Sequence, residues 1–306
     1  MKNTLKNLYN IDSKAIIKYS NKVYKVKDEE NNEYCLKYLD DKCSNNLIEK
    51  IDMINLSNNF VMPIKTCIRA PYGFINNKSF YLSSWIDDDN VDSKDLKLKY
   101  YLSMIGKLHA KSSYTINVSL SFFKELAIQI EENIEEIYQY YDKIVSNILL
   151  YEYYSPFQWF LLFNYKEIIA SLDKARSYCE KLKSITNEKL TVRQVINHLN
   201  FSYDHVFILK DKIIGNDKMK VGSPIYDLKS LIDNINFGSI DISGLFELYL
   251  SNNKLEEYEV DWLLSLLFVC KKITFTNNEM INIKYLNDLL FRYKSVIEIE
   301  KILIKK

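Results

Sequence analysis

The 306-residue sequence predicts an α+β fold, with a strand-rich N-terminal lobe over residues 1–90 and a mainly helical C-terminal lobe over residues 91–306. Polar and apolar residues alternate through residues 15–39, which is the period of a half-buried strand. After residue 92 the apolar residues recur at intervals of three and four, which is the period of a helix face. The change of period near residue 90 therefore predicts two lobes of different secondary structure.

The N-terminal lobe is predicted to hold a small antiparallel sheet and one helix. The segments AIIKYSNKVYKVKD and NEYCLKYLD are rich in β-branched and aromatic residues, and the polar stretch DEENNE between them reads as a turn. Residues 45–60 show helical spacing at Leu47, Ile51 and Ile54. Residues 64–87 return to strands, with PYG and NNK as turns.

The C-terminal lobe is predicted to be helical, with one interruption. The first helix carries Tyr101, Met104, Ile105 and Leu108 on one face, and two long helices follow around residues 126–148 and 161–182. The stretch SPFQ from Ser155 is typical of a helix start. Ser155 as N-cap and Gln158 can form a capping box, and Pro156 suits the first helical position. Residues 190–228 predict short strands around a loop, and residues 241–303 predict further helices.

Composition argues against several classes of protein. The chain has 41 basic and 40 acidic residues, so its net charge gives no reason to expect a nucleic-acid or anionic-membrane partner. Its five cysteines include no CxxC pair, which predicts a reducing compartment rather than a disulfide framework or zinc ribbon. The N-terminal residues lack the apolar core of a signal peptide. The longest uncharged apolar run, WLLSLLFVC from Trp262, is shorter than the roughly 20 residues that span a bilayer, so synthesis in the cytoplasm and no membrane span are expected.

Two residue types are unusual in number. The 24 tyrosines are explained by codon bias in an AT-rich genome or by a tyrosine-rich surface that packs into an assembly. The chain has only six glycines, and the first is Gly73. Because phosphate-binding loops need glycines for close approach of the backbone, no such loop is expected near the N-terminus.

Five stretches in order resemble a known group of proteins. They are YCLKYL (34–39), WID (85–87), IGKLHAKS (105–112), HLNFSYDHVFIL (198–209) and IIGNDKMKVGSPIYDL (213–228). Their order and spacing resemble the aminoglycoside-phosphotransferase-like superfamily, and within it the CotS-type spore coat proteins of endospore-forming bacteria. The resemblance implies a bilobal protein-kinase-like fold, with the catalytic-loop-like segment at 198–228.

The resemblance assigns two residues to a nucleotide pair. Lys37 stands where the family has its nucleotide-binding lysine, and Glu49 in the following predicted helix is its candidate partner. The alternative is an ordinary strand lysine and a solvated helix glutamate.

The same resemblance indicates a degenerate active site. His198 matches a histidine that is chiefly structural in the family. The catalytic aspartate position holds Asn200, the metal-binding asparagine position holds His205, and the metal-binding aspartate position after Ile213–Ile214 holds Gly215. Phosphoryl transfer needs a carboxylate base and oxygen ligands for Mg²⁺, and an amide or imidazole is a poor substitute.

Other polar residues of these loops remain candidates for function. Asp204, His205 and Asp217 are weak candidates for a metal or polar site, and the alternative is that these side chains are solvated. Asp227 matches the aspartate of the family's DL motif, and we interpret it as a helix cap or a brace for the loop.

Three functions are consistent with this pattern. The first is a non-catalytic, pseudokinase-like protein with a structural or binding role in the spore coat, whose partners would be other coat or assembly proteins. The second is an active small-molecule phosphotransferase in which Asp204 or Asp217 replaces the lost carboxylates. The third is a sensor that binds nucleotide without turnover. ATP is a candidate ligand, and Mg²⁺ is not expected.

Overall fold

The computed structural model describes residues 1–39, 56, 58–87, 91–186, 190–235 and 242–305. These residues have an α+β fold, as predicted. Their helices and strands, in chain order, are α1 (Lys2–Tyr9), β1 (Ser13–Lys18), β2 (Val23–Asp28), β3 (Glu33–Tyr38), β4 (Gly73–Ile75), β5 (Lys78–Ser84), α2 (Lys94–Ser112), β6 (Tyr114–Val118), α3 (Phe122–Ile148), α4 (Pro156–Lys183), β7 (Leu190–Asn197), β8 (Val206–Phe207), β9 (Lys212–Ile213), β10 (Lys220–Gly222), α5 (Ile225–Asn234), α6 (Ile242–Asn252), α7 (Glu257–Leu267) and α8 (Glu279–Ile304).

The chain divides into two compact units that are interleaved in sequence. The first comprises Met1–Ser113 and Gln194–Gly222, and the second comprises Tyr114–Arg193 and Ser223–Lys306. The lobe boundary near residue 90, which the change of period suggests, stays a prediction. The helix predicted for residues 45–60 falls almost entirely outside the described residues.

The first unit is built on a five-stranded antiparallel sheet with strand order β1-β2-β3-β5-β4. One face of this sheet packs against α1. The amphipathic pattern of α1 buries Leu5 and Tyr9 against Val26, Leu36 and Leu82 of the strands. Fully burying one such side chain stabilises the fold by about 1.5–3 kcal/mol.

The opposite face of the sheet carries a different set of side chains. Because side chains alternate along a strand, Cys35 and Lys37 of β3 point away from the face that holds Leu36. The register pairs Cys35 with Ser83 and Lys37 with Tyr81 across β3 and β5. These cross-strand neighbours therefore share one face, and Lys37 is fixed on it by the strand pattern alone.

The first unit also contains a small hairpin formed by β8 and β9. Strands β8 and β9 pair antiparallel, and their turn places Asp211 at a positive φ of 53°. The hairpin is tied to the segment before β4, because Val61 N donates to Ile213 O and Ile213 N donates to Asn59 O at 2.9 and 2.7 Å. Asn59 Nδ2 also donates to the carboxylate of Asp211. These hydrogen bonds fix the position of the loop between β7 and β10 relative to residues 59–61 within the first unit.

The second unit is mainly helical. Its long helices α3 and α4 form a hairpin, and the apolar stripes predicted for them are buried at Ile130, Ile134, Leu161 and Leu172. The capping box at Ser155 is confirmed, because Ser155 Oγ accepts from Gln158 N while Gln158 Oε1 accepts from Ser155 N. The helices predicted within residues 241–303 are α6, α7 and α8.

Two further features of the described residues concern membrane-spanning helices and cysteines. No helix among them is both long and apolar enough to cross a lipid bilayer. The four cysteines in the described part of the chain are free thiols.

Candidate functional site

A cavity of about 450 Å³ opens on the face of the sheet that carries Lys37. This cleft lies within the first unit and is of the size that binds drug-sized ligands. Its apolar lining comes from strands of two separate sheets, because Val23 and Cys35 belong to β2 and β3 while Phe207 ends β8 and Ile214 follows β9. Its polar lining includes Lys37, Ser83, Asp204 and His205.

The turn between β1 and β2 also lines the cleft. It has the sequence YSNK from Tyr19 and contains no glycine. Tyr19 N and Ser20 N both donate to Val23 O at 2.9 and 3.0 Å. Lys22 N and Val23 N in turn donate to Ser20 Oγ at 3.4 and 3.2 Å. The turn is therefore closed by its own serine, and these four amides are already paired.

His198 lies in the interior of the first unit, and both nitrogens of its ring are close to hydrogen-bonding partners. The ring is buried. Its Nε2 lies 3.2 Å from Ile214 O and its Nδ1 lies 3.0 Å from the hydroxyl of Tyr101. Since a carbonyl can only accept, Nε2 carries the proton in this bond, and Nδ1 then accepts from Tyr101. His198 holds the loop onto α2 and onto the segment before Gly215.

Hydrogen bonds connect the three residues at the positions where the catalytic base and the metal ligands are expected. Asn200 Nδ2 donates to Gly215 O at 2.7 Å, and His205 Nδ1 lies 2.8 Å from Asn200 O. Gly215 has a φ of 87°, in the region that favours glycine. A Cβ at this position would lie 2.6 Å from Asn200 Nδ2 and 3.0 Å from His205 Nδ1. We call this set of three residues the loop interlock.

Burial has the largest effect on the pKa of His205. Burial lowers its pKa below the usual value of 6.5, and the positive charge of Lys37 lowers it further. The bond to Asn200 O acts in the opposite direction but is the smaller effect. His205 is therefore a neutral imidazole at pH 7.

Lys37 is paired with an acid that the resemblance does not assign to it. Its Nζ lies 2.6 Å from Asp217 Oδ1, and the two side chains are only 19% and 11% exposed. Asp217 lies two residues beyond Gly215, in a short 3₁₀ turn that begins at Asn216. Asn216 is itself anchored, because its Nδ2 donates to Val61 O at 2.8 Å. Glu49, the predicted partner of Lys37, lies outside the described residues.

The remaining candidates are dispersed. Asp204 is exposed in a 3₁₀ turn at the rim of the cleft. Together with His205 and Asp217 it is a candidate metal site by sequence, but the described residues contain no group of three or more acids, histidines or cysteines with metal-binding geometry.

Asp227 is not the N-cap that the sequence suggests. Helix α5 begins at Ile225 after Pro224, so Asp227 lies in the first turn and is buried there. The predicted start is therefore too late in the chain, because Pro224 already fixes a backbone conformation that leads into a helix. A carboxylate in a first turn is still favoured by the helix dipole, and the role of Asp227 as a brace stays a prediction.

Known proteins were compared with the chain by sequence and by fold. No protein-family model and no curated protein matches the sequence. An aminoglycoside phosphotransferase from Alicyclobacillus acidocaldarius matches the structure with a TM-score of 0.66 at 9% identity, over 96% of this chain and 93% of that one. A spectinomycin phosphotransferase in complex with ADP and spectinomycin matches with a TM-score of 0.53 at 14% identity, over 99% and 92% of the two chains.

The chain has the fold of the aminoglycoside phosphotransferases. An amicoumacin kinase supports the same assignment, with a TM-score of 0.50 at 15% identity over 97% of this chain and 92% of that one. The predicted kinase-like fold is thereby confirmed. Because a fold hosts many chemistries, the function of this aminoglycoside-phosphotransferase fold depends on the residues in its own cleft.

Sequence reasoning missed two parts of this cleft. The pairing of Lys37 with Asp217 joins residues 180 positions apart, and only the spacing of Asp217 behind the expected metal position hinted at it. The closed turn at Ser20 left a clearer signal, since a serine two and three residues before Lys22 and Val23 is typical of a side-chain-closed turn.

Proposed function

We propose that this chain is a kinase-like protein that does not transfer phosphoryl groups and acts instead through a structural or ligand-binding role. The observation that carries the proposal is the loop interlock of Asn200, His205 and Gly215. These residues stand where the resemblance places the catalytic base and both metal ligands, and they are bonded to each other.

The chemistry of phosphoryl transfer explains why the interlock argues against turnover. The reaction depends on positioning and on charge neutralisation by metal ions. The Asn200 amide donates a hydrogen bond to Gly215 O and, unlike a carboxylate, is too weak a base to take a proton from a substrate hydroxyl. The space for a ligand side chain at 215 is taken by Asn200 and His205.

An active enzyme with substituted carboxylates is the second candidate, and the position of Asp217 favours it. Asp217 is next to Lys37 and two residues from the expected metal aspartate. In this arrangement a metal ion held by Asp217 would have to compete with the Lys37 ammonium group for the same carboxylate. Asp204 would have to serve as the base from an exposed turn.

A nucleotide sensor without turnover is the third candidate. The cleft of about 450 Å³ has room for a ligand, and Lys37 faces it. The spectinomycin phosphotransferase of similar fold binds ADP. Binding to the folded state raises its stability by RT ln(1 + [L]/Kd), so a thermal shift with ATP separates a sensor from a purely structural protein.

A role in the spore coat is the biological setting we propose. Its support is the resemblance of the five ordered stretches to CotS-type proteins and a composition with 24 tyrosines. Partners would be other coat or assembly proteins. A tagged chain expressed during sporulation should appear in the extracted coat fraction, and its absence from that fraction would remove this setting.

The test of the main proposal is an assay of ATP hydrolysis and phosphoryl transfer with Mg²⁺. We expect the wild-type protein to show no more turnover than the variant Asp217→Asn, which lacks the substitute carboxylate. The matched control is Asp12→Asn, which removes an acid paired with Lys6 at 2.8 Å, outside the residues that line the cleft. Mg²⁺-dependent turnover that disappears in Asp217→Asn but survives in Asp12→Asn would establish the active enzyme instead.

A further inference from the structure

We infer that the cleft binds a neutral, largely aromatic ligand of nucleoside size and discriminates against the phosphorylated form of the same ligand. The inference rests on the proposed function, because it takes the cleft to be a binding site without chemistry. It departs from phosphate-based recognition, in which a loop of backbone amides, a free lysine and a metal ion hold the anion. Each of those three devices is altered in this cleft.

The loop of backbone amides is already occupied. Phosphate-binding loops present N–H groups that point at the anion. In the β1–β2 turn the amides of Tyr19 and Ser20 donate to Val23 O, and those of Lys22 and Val23 donate to Ser20 Oγ. A phosphate at this turn would have to break several of these bonds to gain its own.

The lysine is neutralised by its partner. Lys37 Nζ lies 2.6 Å from Asp217 in a pair that is largely shielded from water. The cleft is also lined by Lys97 and by the carboxylates of Asp92 and Asp204. Among the described residues of the cleft, with Asp217 included, three acidic residues oppose two lysines. An approaching phosphate therefore meets a net negative charge from the described residues rather than a positive one.

The metal ion that could overcome this repulsion would meet no oxygen-bearing side chain at positions 205 and 215, where the resemblance places its ligands. Asn200 and His205 fill the space beside Gly215, where a metal-binding side chain would have to stand. His205 is neutral at pH 7, because burial lowers its pKa, and Mg²⁺ prefers oxygen to imidazole nitrogen.

The rest of the cleft suits a flat, uncharged molecule. Val23 and Cys35 from one sheet and Phe207 and Ile214 from the hairpin line it with apolar surface. Trp85 adds an aromatic wall whose ring is held edge-on to Tyr19, with 5.3 Å between centroids. The hydroxyl-bearing residues Ser83 and Ser84 add hydrogen-bonding groups to this lining, which gives the few polar contacts that fix a ligand's orientation.

The experiment is a calorimetric titration of the wild-type protein with adenosine, AMP and ATP, each with and without Mg²⁺. We expect adenosine to bind and the affinity to fall by roughly tenfold or more between adenosine and ATP. We also expect Mg²⁺ to leave that order unchanged. Tighter binding of ATP than of adenosine, or no heat from adenosine at its solubility limit, would overturn the inference.

The variant Asp217→Asn tests the electrostatic cause. It removes one negative charge and releases Lys37, so ATP affinity should rise while adenosine affinity stays constant. Asp12→Asn is the control and should change neither. An unchanged ratio of the two affinities in a folded Asp217→Asn protein would refute the role given to this pair.

A measurement on the wild type avoids any dependence on how the variant folds. Salt screens repulsion between exposed charges, so ATP affinity should increase with ionic strength and adenosine affinity should not. A decrease of ATP affinity with salt would show attraction and overturn the inference. ATP hydrolysis measured in the same samples separates the two claims: tight ATP binding without turnover removes the inference alone, whereas Mg²⁺-dependent turnover removes the proposed function.

Discussion

The substitution Gly215→Ala adds one methyl group at the centre of the loop interlock. The backbone there has a φ of 87°, and an L-residue in the left-handed region costs about 1–2 kcal/mol. The new Cβ would lie 2.6 Å from Asn200 Nδ2 and 3.0 Å from His205 Nδ1. Overpacking of this kind costs roughly 1–3 kcal/mol.

Relief of the contact has its own cost. Asn200 can move only by giving up its 2.7 Å bond to Gly215 O, which contributes about 1 kcal/mol. We therefore expect Gly215→Ala to lower the free energy of unfolding by about 2–5 kcal/mol. Because the entropy of unfolding grows with chain length, the melting temperature of a chain of this size should fall by at least about 3 °C.

Thermal unfolding followed by circular dichroism measures this effect, with a matched glycine as control. Gly244 lies in α6, and a Cβ added there would meet none of the described atoms within 4 Å. Gly244→Ala should therefore not lower the melting temperature, because alanine has a higher helix propensity than glycine. In an Asn200→Ala background, Gly215→Ala should cost about 1–2 kcal/mol less, as expected for coupled neighbours. Equal melting temperatures of Gly215→Ala and the wild type would refute the interlock.

Two further predictions concern charge. Because burial lowers the pKa of His205, the unfolded chain binds the proton more readily, and stability should fall as pH drops below about 6.5. In His205→Asn the new amide can still donate to Asn200 O but does not titrate, so its melting temperature should fall less than that of the wild type between about pH 7.5 and pH 5.5. An identical fall in the two proteins would contradict protonation of His205 as the cause. Glu259 is fully buried and accepts from Arg193 Nε and Nη2 at 3.0 and 2.5 Å. Glu259→Ala should therefore destabilise the protein by about 3–5 kcal/mol, whereas Glu298→Ala, at an exposed pair with Lys301, should cost less than about 1 kcal/mol in the same denaturation experiment.

The fold was predictable because its determinants are local. The alternation around Leu36 predicts a strand whether or not the rest of the sheet is known, and Ser155 with Gln158 specifies a helix start within four residues. The start of α5 shows the limit of such local signals. Aspartate is a common N-cap, so the sequence favours Asp227 as the cap, while Pro224 and Ile225 carry the weaker signal of the true start.

The candidate site was predictable only as a set of positions. The order of motifs predicts that Asn200, His205 and Gly215 are substitutions, and the hydrogen bonds among them depend on the left-handed backbone of Gly215 and on how two loops meet. No periodicity encodes such contacts. The pair formed by Lys37 and Asp217 is harder still to predict from the sequence. The two residues are 180 positions apart and meet only because β3 and the 3₁₀ turn belong to one compact unit.

Under the proposed function, Asn200, His205 and Gly215 are best understood as one structural change rather than as three separate losses. An aspartate at 200 would set a carboxylate against Gly215 O, where the amide now donates, and two acceptors repel. A side chain at 215 would strike the amide and imidazole that occupy its place. A change to aspartate at position 200, or to any side chain at position 215, therefore breaks a contact on which the other residues depend. Under the proposed function, this mutual dependence explains how the first unit holds Lys37 and the buried His198 while other residue types occupy the positions expected for the catalytic groups.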